Sequence, residues 1–170
     1  MSRQKFYSRN RLSIKLNEKK GFTLLEMLVV VAIIGIMAVI AIPNIMSQLP
    51  RVRIKRAGRE ITMDLLLARM NAMRRNVPQT VTFSPATGTG GGTWTSSVSG
   101  RKTIPSDVSL TSIEDNQGRV VEEVIFNPNG SLKVANNDTY EVDIHLENTQ
   151  DEKYVINVKR FTGRVKLERE

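Results

Sequence analysis

The chain has no cysteine and only one histidine, His145. The absence of cysteine excludes a disulfide framework and thiolate metal sites. With one histidine we do not expect a catalytic triad or a histidine-rich metal centre, and His145 lies in an alternating run typical of a strand. Aspartates and glutamates are plentiful, but no spacing marks a paired-carboxylate site or a calcium loop. We therefore expect no catalytic residues, no cofactor and no metal: the protein is not expected to be an enzyme.

The positive charge is concentrated in two parts of the chain. The formal net charge is +8, and residues 1–21 alone hold seven basic residues and one acidic residue. Residues 44–76 carry a net charge of +6, whereas residues 77–170 carry −3. The high isoelectric point of about 10.0 therefore does not indicate the basic globular surface of a typical nucleic-acid-binding protein.

An apolar run of 21 residues extends from Phe22 to Ile42 and contains a single charged side chain, Glu26. As a helix it would reach roughly 30 Å, the thickness of a bilayer core. Because basic residues dominate the preceding segment, the positive-inside rule places residues 1–20 in the cytoplasm and the C-terminal bulk outside it. The run is longer than the core of a secretory signal, and Pro43 and Asn44 follow it in place of a small-residue cleavage site. We expect it to remain as a membrane-spanning helix.

Glu26 is the one residue that does not suit a membrane span. A carboxylate costs about 2.5–3.5 kcal/mol at mid-bilayer on insertion scales, so it needs a partner. Cleavage between Gly21 and Phe22 would create an α-amino group at the start of the helix, and such an amine on a neighbouring subunit would neutralise Glu26. The helix N-terminus also favours a negative charge. In the simpler alternative, Glu26 reaches the interface of an ordinary single-pass anchor.

Residues 21–26, Gly-Phe-Thr-Leu-Leu-Glu, resemble the class III signal of type IV pilins and type II secretion pseudopilins. The resemblance implies that a prepilin peptidase cuts after Gly21 on the cytoplasmic side of the inner membrane and N-methylates Phe22. It also implies that Glu26 pairs with the N-terminal amine of an adjacent subunit during assembly. Gly35 and Pro43 fall where this family carries helix-loosening residues, in keeping with the chemistry of glycine and proline.

Beyond Pro43 and Pro50, apolar residues recur at helical spacing and predict a second helical section from about Arg51 to Arg75. They are Ile54, Ala57, Ile61, Leu65, Ala68 and Ala72. Leu66, Met70 and Met73 are expected to widen this face against a sheet. Residues 64–76 are similar to the corresponding helix of the GspH/FimT subgroup of minor pilins and pseudopilins.

The sequence period changes to two from Val77, which indicates strands. A hairpin with a long flexible loop, Ser84 to Gly92, is expected first. Further strands are expected at Val108 to Ile113, Val120 to Phe126, Ser131 to Val134, Tyr140 to Leu146, Tyr154 to Phe161 and Arg164 to Leu167. Strands that follow one long helix, without alternating helices, favour an α+β fold with an antiparallel sheet.

The C-terminal segment raises a second functional hypothesis. In GspH/FimT-like proteins a Gly-Arg-x-Arg element has been connected with DNA capture, and residues 163–166, Gly-Arg-Val-Lys, approximate it. The final lysine gives a point charge in place of a planar fork. The candidate DNA contacts, here called the basic strip, are Lys159, Arg160, Arg164 and Lys166, with Arg169 beside them. An ordinary terminal hairpin with solvated charges is the preferred interpretation.

Together these features predict a pilin-like α+β protein, in which a long N-terminal helix, membrane-spanning in its first half, packs on an antiparallel β-sheet domain. The chain is expected to have four parts. Residues 1–21 form a cytoplasmic basic leader that is removed, 22–42 a transmembrane and filament-core helix, 43–76 a stalk helix, and 77–170 an extracytoplasmic antiparallel β domain. The expected function is that of a minor pilin or pseudopilin, an assembly subunit of a type II secretion pseudopilus or a type IV pilus. Its expected partners are prepilin peptidase, other pilins or pseudopilins through the N-terminal helix, and the inner membrane. The alternatives are a pilus-displayed DNA-binding subunit and a plain single-pass anchor with an uncut N-terminus.

Overall fold

A computed structural model describes residues 21–86, 90–133 and 141–170. The expected leader, residues 1–20, lies outside the described residues. So do residues 87–89 of the expected loop and the expected strand ends at Val134 and Tyr140. The chain divides into two compact units, Met1–Ile42 and Pro43–Glu170.

Within the described residues the chain forms one helix followed by nine strands. The helix is α1 (Leu24–Arg75). The strands are β1 (Gln79–Pro85), β2 (Gly92–Ser96), β3 (Gly100–Thr103), β4 (Val108–Asp115), β5 (Glu123–Phe126), β6 (Leu132–Lys133), β7 (Glu141–Asn148), β8 (Lys153–Lys159) and β9 (Val165–Arg169).

The helix does not break where two helical sections were expected. α1 is continuous through Gly35, Pro43 and Pro50. A proline removes one backbone donor and strains the preceding turn, but the remaining hydrogen bonds of a long helix can carry the chain past it. The expected sections Phe22–Ile42 and Arg51–Arg75 thus lie in one long N-terminal helix, as the expected fold class has it.

One face of α1 is buried, as the apolar spacing predicts. All six residues of that face are at most 3% exposed. Met70 and Met73, which were expected to widen it, are 60% and 43% exposed instead. Each residue turns the helix by about 100°, so Met70 lies roughly 200° round from Ala68. Leu66 is half-buried.

The strands form two sheets. Sheet A has the order β3-β2-β1-β5-β6, and sheet B has the order β4-β7-β8-β9. Every pairing between these strands is antiparallel, which confirms the expected α+β class. Strand β3 was not expected because its sequence, Gly-Arg-Lys-Thr, offers no apolar alternation. The strand expected from Val120 begins only at Glu123.

A single core lies between the buried face of α1 and the two sheets. In β7 and β8 every second residue is buried, so each strand of sheet B presents one apolar side to the core. Sheet A contributes larger side chains, among them Trp94 and Phe126, which are 1% and 0% exposed.

A buried carboxylate, Asp64, joins α1 to sheet A. It is 1% exposed and lies beside Leu65 on the buried face. The Trp94 indole Nε1–H donates a hydrogen bond of 2.7 Å to Asp64 Oδ2, and Ser99 Oγ donates one of 2.9 Å to Oδ1. Lys102 Nζ lies 3.0 Å from Oδ2 and 5.9 Å from the centre of the Trp94 ring. Hydrogen bonding to Asp64 raises the pKa of Lys102 above its ordinary value. The carboxylate is therefore satisfied by three donors from β2, β3 and the turn between them.

Replacing Asp64 by alanine should destabilise the folded chain by about 2–3 kcal/mol, because the buried indole N–H loses its acceptor and Lys102 loses the nearer of its two carboxylate partners. Trp94 is the only tryptophan, so chemical denaturation followed by its fluorescence reports directly on this region. The matched control is Glu122→Ala, which removes an exposed carboxylate. Equal stability of the two variants would show that the network contributes nothing.

Candidate functional site

The start of α1 is held by a side-chain cap on Thr23. The backbone N–H of Glu26 donates a hydrogen bond of 3.2 Å to Thr23 Oγ1, and the N–H of Met27 donates one of 3.2 Å to the Thr23 carbonyl. Threonine followed three positions later by glutamate is the capping-box pattern. Thr23 was not predicted as a site residue, although this Thr-x-x-Glu spacing was present in the sequence to indicate it.

The expected cleavage site lies immediately before this cap. Gly21, Phe22 and Thr23 are non-helical and exposed. A β-carbon built on Gly21 would meet no atom within 4 Å, and Phe22 is 72% exposed. The bond between Gly21 and Phe22 is thus outside the helical hydrogen-bond ladder and in an exposed stretch of chain, where a peptidase could reach it.

Glu26 lies in the first turn of α1, where the N-terminal backbone N–H groups favour a negative charge. Its backbone is used by the Thr23 cap, and its side chain is exposed. Among the residues that the structure describes, no cation forms an ion pair with Glu26. Within the described residues the Glu26 side chain is therefore exposed and has no cationic partner.

The apolar part of α1 from Leu24 to Ile42 is 19 residues long, and its large side chains are exposed in the part of the chain that the structure describes. A helix of this length and composition can cross a membrane, since it spans roughly 28 Å. A β-carbon on Gly35 would meet no atom within 4 Å. At Pro43 the backbone is helical. The loosening expected at these two positions does not interrupt the helix.

The basic strip lies where β8, the turn after it and β9 meet. Its two lysines stand beside carboxylates: Lys159 pairs with Glu141, and Lys166 pairs with Glu168. Arg169 Nη2 lies 3.0 Å from Glu152 Oε1, which also receives Arg51 at 3.1 Å. The guanidinium of Arg160 lies 5.2 Å from the centre of the Phe161 ring.

A shallow groove of about 220 Å³ at the strip confirms this mixture of charges. It is lined by Glu141, Asn157, Lys159, Arg164, Lys166 and Glu168. A phosphate-binding surface gains affinity from uncompensated cations that release counterions. Because carboxylates are interspersed here, the DNA-binding alternative is not favoured.

Gly163, the first residue of the C-terminal motif, has a structural role. Its φ is +58°, and a β-carbon there would lie 2.0 Å from the Gly130 carbonyl oxygen and 2.6 Å from Arg69 Nε. Arg69 Nε itself donates a hydrogen bond of 3.0 Å to that carbonyl. The β8–β9 turn, the turn before β6 and helix α1 therefore meet at one point where a side chain does not fit.

The Gly163→Ala variant should be destabilised by about 1–3 kcal/mol, since the new methyl group overlaps the Gly130 carbonyl. Gly118→Ala is a matched control, because Gly118 has a φ of +73° and a β-carbon added there would meet no atom within 4 Å. In both variants the alanine is strained by its positive φ. The difference between their unfolding free energies therefore gives the cost of the overlap between the methyl group added at position 163 and the Gly130 carbonyl alone. No difference would exclude the proposed contact.

The carboxyl group of Asp143, on β7 beside the basic strip, lies in an environment that disfavours its ionised form. Burial, and then repulsion from Glu141, raise the pKa of its carboxyl above the ordinary value. The Asn157 side-chain amide donates a hydrogen bond of 2.8 Å to Asp143 Oδ1. A raised pKa means that the Asp143 carboxyl binds its proton more tightly in the folded state than in the unfolded state.

Asp143 therefore stabilises the fold only when protonated: this stability is fully present below its ordinary pKa of 3.8 and is lost as the pH rises through the raised value. The Asp143→Asn variant should be more stable than the natural chain at pH 7, by less than about 1 kcal/mol at this half-exposed site. The gain should disappear toward pH 3.5. Denaturation at both pH values, with Glu123→Gln as the exposed control, checks this. A gain that is independent of pH would contradict the assignment.

Comparison with known proteins gives two family matches. Residues 16–42 match a model described as the prokaryotic N-terminal methylation motif, and residues 57–161 match a model described as type II transport protein GspH. A fimbrial protein of Pseudomonas aeruginosa is 50% identical over 44 residues, which are 26% of this chain and 29% of that protein. Competence protein ComGD of Bacillus subtilis is 31% identical over 72 residues, 42% of this chain and 50% of that protein. The alignments thus span half or less of the length of these relatives.

Two solved structures are similar at low sequence identity. The type IV minor pilin FimU of Pseudomonas aeruginosa is 18% identical, with a TM-score of 0.48 over 69% of this chain and 90% of that chain. The minor pseudopilin EpsH of the type 2 secretion system of Vibrio cholerae is 14% identical, with a TM-score of 0.47 over 69% of this chain and 97% of that chain.

Proposed function

The chain belongs to the family of type II transport protein GspH and carries the prokaryotic N-terminal methylation motif, and on this premise we propose that it works as a minor pilin or pseudopilin. In this role it is an assembly subunit of a type II secretion pseudopilus or a type IV pilus. Its action is to pack against other subunits, without chemistry of its own.

The observation that carries the proposal is the uncovered apolar helix between Leu24 and Ile42. Its large side chains are 45–83% exposed from Leu24 to Ile42. An apolar surface of this length is stable in a bilayer or against similar helices, and not in water. The same segment can therefore serve first as a membrane anchor and then as the contact between filament subunits.

Processing and assembly are assigned to neighbouring residues in this proposal. Prepilin peptidase cuts between Gly21 and Phe22, and Phe22 is then N-methylated. The carboxylate of Glu26, open to a partner outside the chain, receives the N-terminal amine of an adjacent subunit. Thr23 supports this by holding the first helical turn, so that the carboxylate has a fixed position. Gly35 and Pro43 adjust the helix during packing.

The topology follows from the charge of the segment before the helix. Seven basic residues before the apolar run keep the N-terminus in the cytoplasm. The chain then crosses the inner membrane once, and the β domain is extracytoplasmic. Several charges in that domain are paired within the chain, among them Lys159 with Glu141 and Arg169 with Glu152.

Two substitutions separate processing from assembly. Gly21→Leu should leave the chain uncut, because a bulky residue replaces the small one at the cleavage site. Glu26→Ala should be cut normally but incorporated poorly, because the buried amine of the neighbouring subunit loses its counter-charge. Mass spectrometry of the N-terminal peptide reads cleavage and methylation, and crosslinking in the native membrane reads incorporation.

Glu26→Gln is a useful companion, since it keeps the shape and removes the charge. Val31→Ala, in the same exposed span, is the control for a change that leaves the charge untouched. Normal processing of Gly21→Leu and normal incorporation of Glu26→Ala would together overturn the proposal. The neighbours captured by crosslinking to the natural chain identify the machine as a secretion pseudopilus or a pilus.

A further inference from the structure

Strand β9 is an open edge of sheet B, since it pairs only with β8 among the described strands. The N–H of Lys159 donates a hydrogen bond of 2.9 Å to the Arg164 carbonyl. At the other end of the pair, the N–H of Glu170 donates one of 3.2 Å to the Lys153 carbonyl. Antiparallel strands exchange such bonds at every second residue, so the even-numbered residues of β9 face β8. The N–H and C=O groups that point to the open side belong to the odd-numbered residues, Val165, Leu167 and Arg169.

The other strand edges are shorter or already covered, in the part of the chain that the structure describes. Backbone groups of Gly91 and of residues 119–121 form hydrogen bonds along the second side of β4. Strand β3 has four residues and β6 has two, and the N–H of Leu132 in β6 donates to the Arg160 carbonyl. No described residue forms such a bond on the open side of β9. An unpaired row of this kind is a template to which another extended chain can add.

Four charged side chains lie at alternate positions along this edge, on the face of sheet B that is turned away from the core. Three of them line one groove together with Asn157. The fourth is on the same face, where its carboxylate lies 3.3 Å from His145 Nδ1. All four are exposed, and in chain order they are Arg164, Lys166, Glu168 and Glu170. Two basic residues are thus followed by two acidic ones.

This order of charges selects among the strands that could pair with β9. Charged side chains on an edge strand oppose indiscriminate pairing. Like charges directly opposite each other are destabilising, whereas opposite charges are stabilising. An antiparallel strand therefore suits this edge only if it has two basic residues followed by two acidic ones, at alternate positions. Until such a strand arrives, Lys166 and Glu168 pair with each other.

We propose that β9 receives an extended segment of another protein, which adds to sheet B as an antiparallel strand. Basic residues of the segment lie opposite the two glutamates, and its acidic residues lie opposite Lys166 and Arg164. The residues between them are β-branched and apolar, because they lie beside the half-buried Val165 and Leu167. This inference goes beyond the proposed function, since it concerns the edge of sheet B and requires neither cleavage nor the apolar span.

A second copy of this chain has the same order of charges on its own β9. Two such strands would pair with Leu167 opposite Leu167, about a two-fold axis perpendicular to the sheet. That axis reverses the direction of a helix that lies on the sheet, so the two copies of α1 would run in opposite directions. Two chains that enter one membrane in the same orientation do not meet this condition. The segment therefore belongs to a different protein.

The test uses the full chain in phosphatidylcholine nanodiscs and labelled peptides of about seven residues, the length of an ordinary strand. The matched peptide is Lys-Val-Lys-Val-Glu-Val-Glu. The scrambled peptide, Lys-Val-Glu-Val-Lys-Val-Glu, has the same composition with alternating charges. A further peptide is the matched one with N-methyl groups on its valines, which lack the N–H groups that would donate to β9. Binding is measured by fluorescence anisotropy.

The chain variant combines Lys166→Glu with Glu168→Lys. It keeps the composition and the net charge of the chain, and it makes the charges along β9 alternate. The control is Arg101→Glu, which changes an exposed charge on β3, another edge strand. All substituted residues are exposed, and Trp94 fluorescence verifies that each variant is folded.

We expect the natural chain to bind the matched peptide about tenfold more tightly than the scrambled one, because two cross-strand pairs change from opposite to like charges. The combined variant should prefer the scrambled peptide by a similar factor, since every pair is then of opposite charge. The N-methylated peptide should not bind, and the control variant should behave as the natural chain.

No binding of the matched peptide, equal affinity for the matched and scrambled peptides, or undiminished binding of the N-methylated one overturns the proposal. Loss of binding in Arg101→Glu overturns it in favour of the β3 edge. Displacement of the matched peptide by unlabelled chain in separate nanodiscs overturns it in favour of a second copy.

Discussion

The contacts of the buried Asp64 carboxylate with Trp94 and Lys102 fix how α1 lies on the sheets. Apolar side chains alone would let a helix with one broad apolar face rotate by some tens of degrees, because burial is not directional. A carboxylate at 1% exposure has no such freedom, since it must keep the Trp94 indole and the lysine within hydrogen-bond reach. The rotation of α1 decides which residues face outward. The exposed positions of Met63, Leu67 and Met70 thus depend on a contact on the opposite side of the helix.

A second junction, at Arg69, also holds α1 against the two sheets. The β8–β9 turn and the turn before β6 meet at Arg69, and the Leu132 N–H donates a hydrogen bond of 2.8 Å to the Arg160 carbonyl. Sheets A and B are joined there and tied to the helix. This gives Gly163 a role that is independent of nucleic acid, since only a residue without a β-carbon fits so close to Gly130. The glycine of the C-terminal motif serves the fold, while the two lysines of the basic strip pair with Glu141 and Glu168.

The parts of this structure that sequence could predict are those with a regular period. The spacing of Ile54, Ala57 and Ile61 predicted the buried face, and the two-residue alternation around Val142–Leu146 predicted a strand, both confirmed. The role of Asp64 could not be predicted, because its partners Trp94 and Lys102 lie 30 and 38 positions away in the sequence. No local sequence pattern indicates contacts over such distances. Strand β3 is held by pairing with β2 and has no apolar signal of its own. The residues of the expected processing site are easier to recognise in a sequence, because they are contiguous. Thr23 and Glu26 also have the spacing of a helix cap.

The two uncovered surfaces of α1 differ in how strictly they need a partner. From Leu24 to Ile42 the exposure is continuous and only Glu26 is charged, so water is excluded as a long-term environment for this segment. A bilayer or a set of similar helices suits such a surface. Beyond Pro50, arginines interrupt the exposed side of α1, and the three apolar side chains Met63, Leu67 and Met70 are within what a folded protein exposes to water. The opposite face of this part of the helix is already buried against sheets A and B, so it needs no further cover in order to be stable in water.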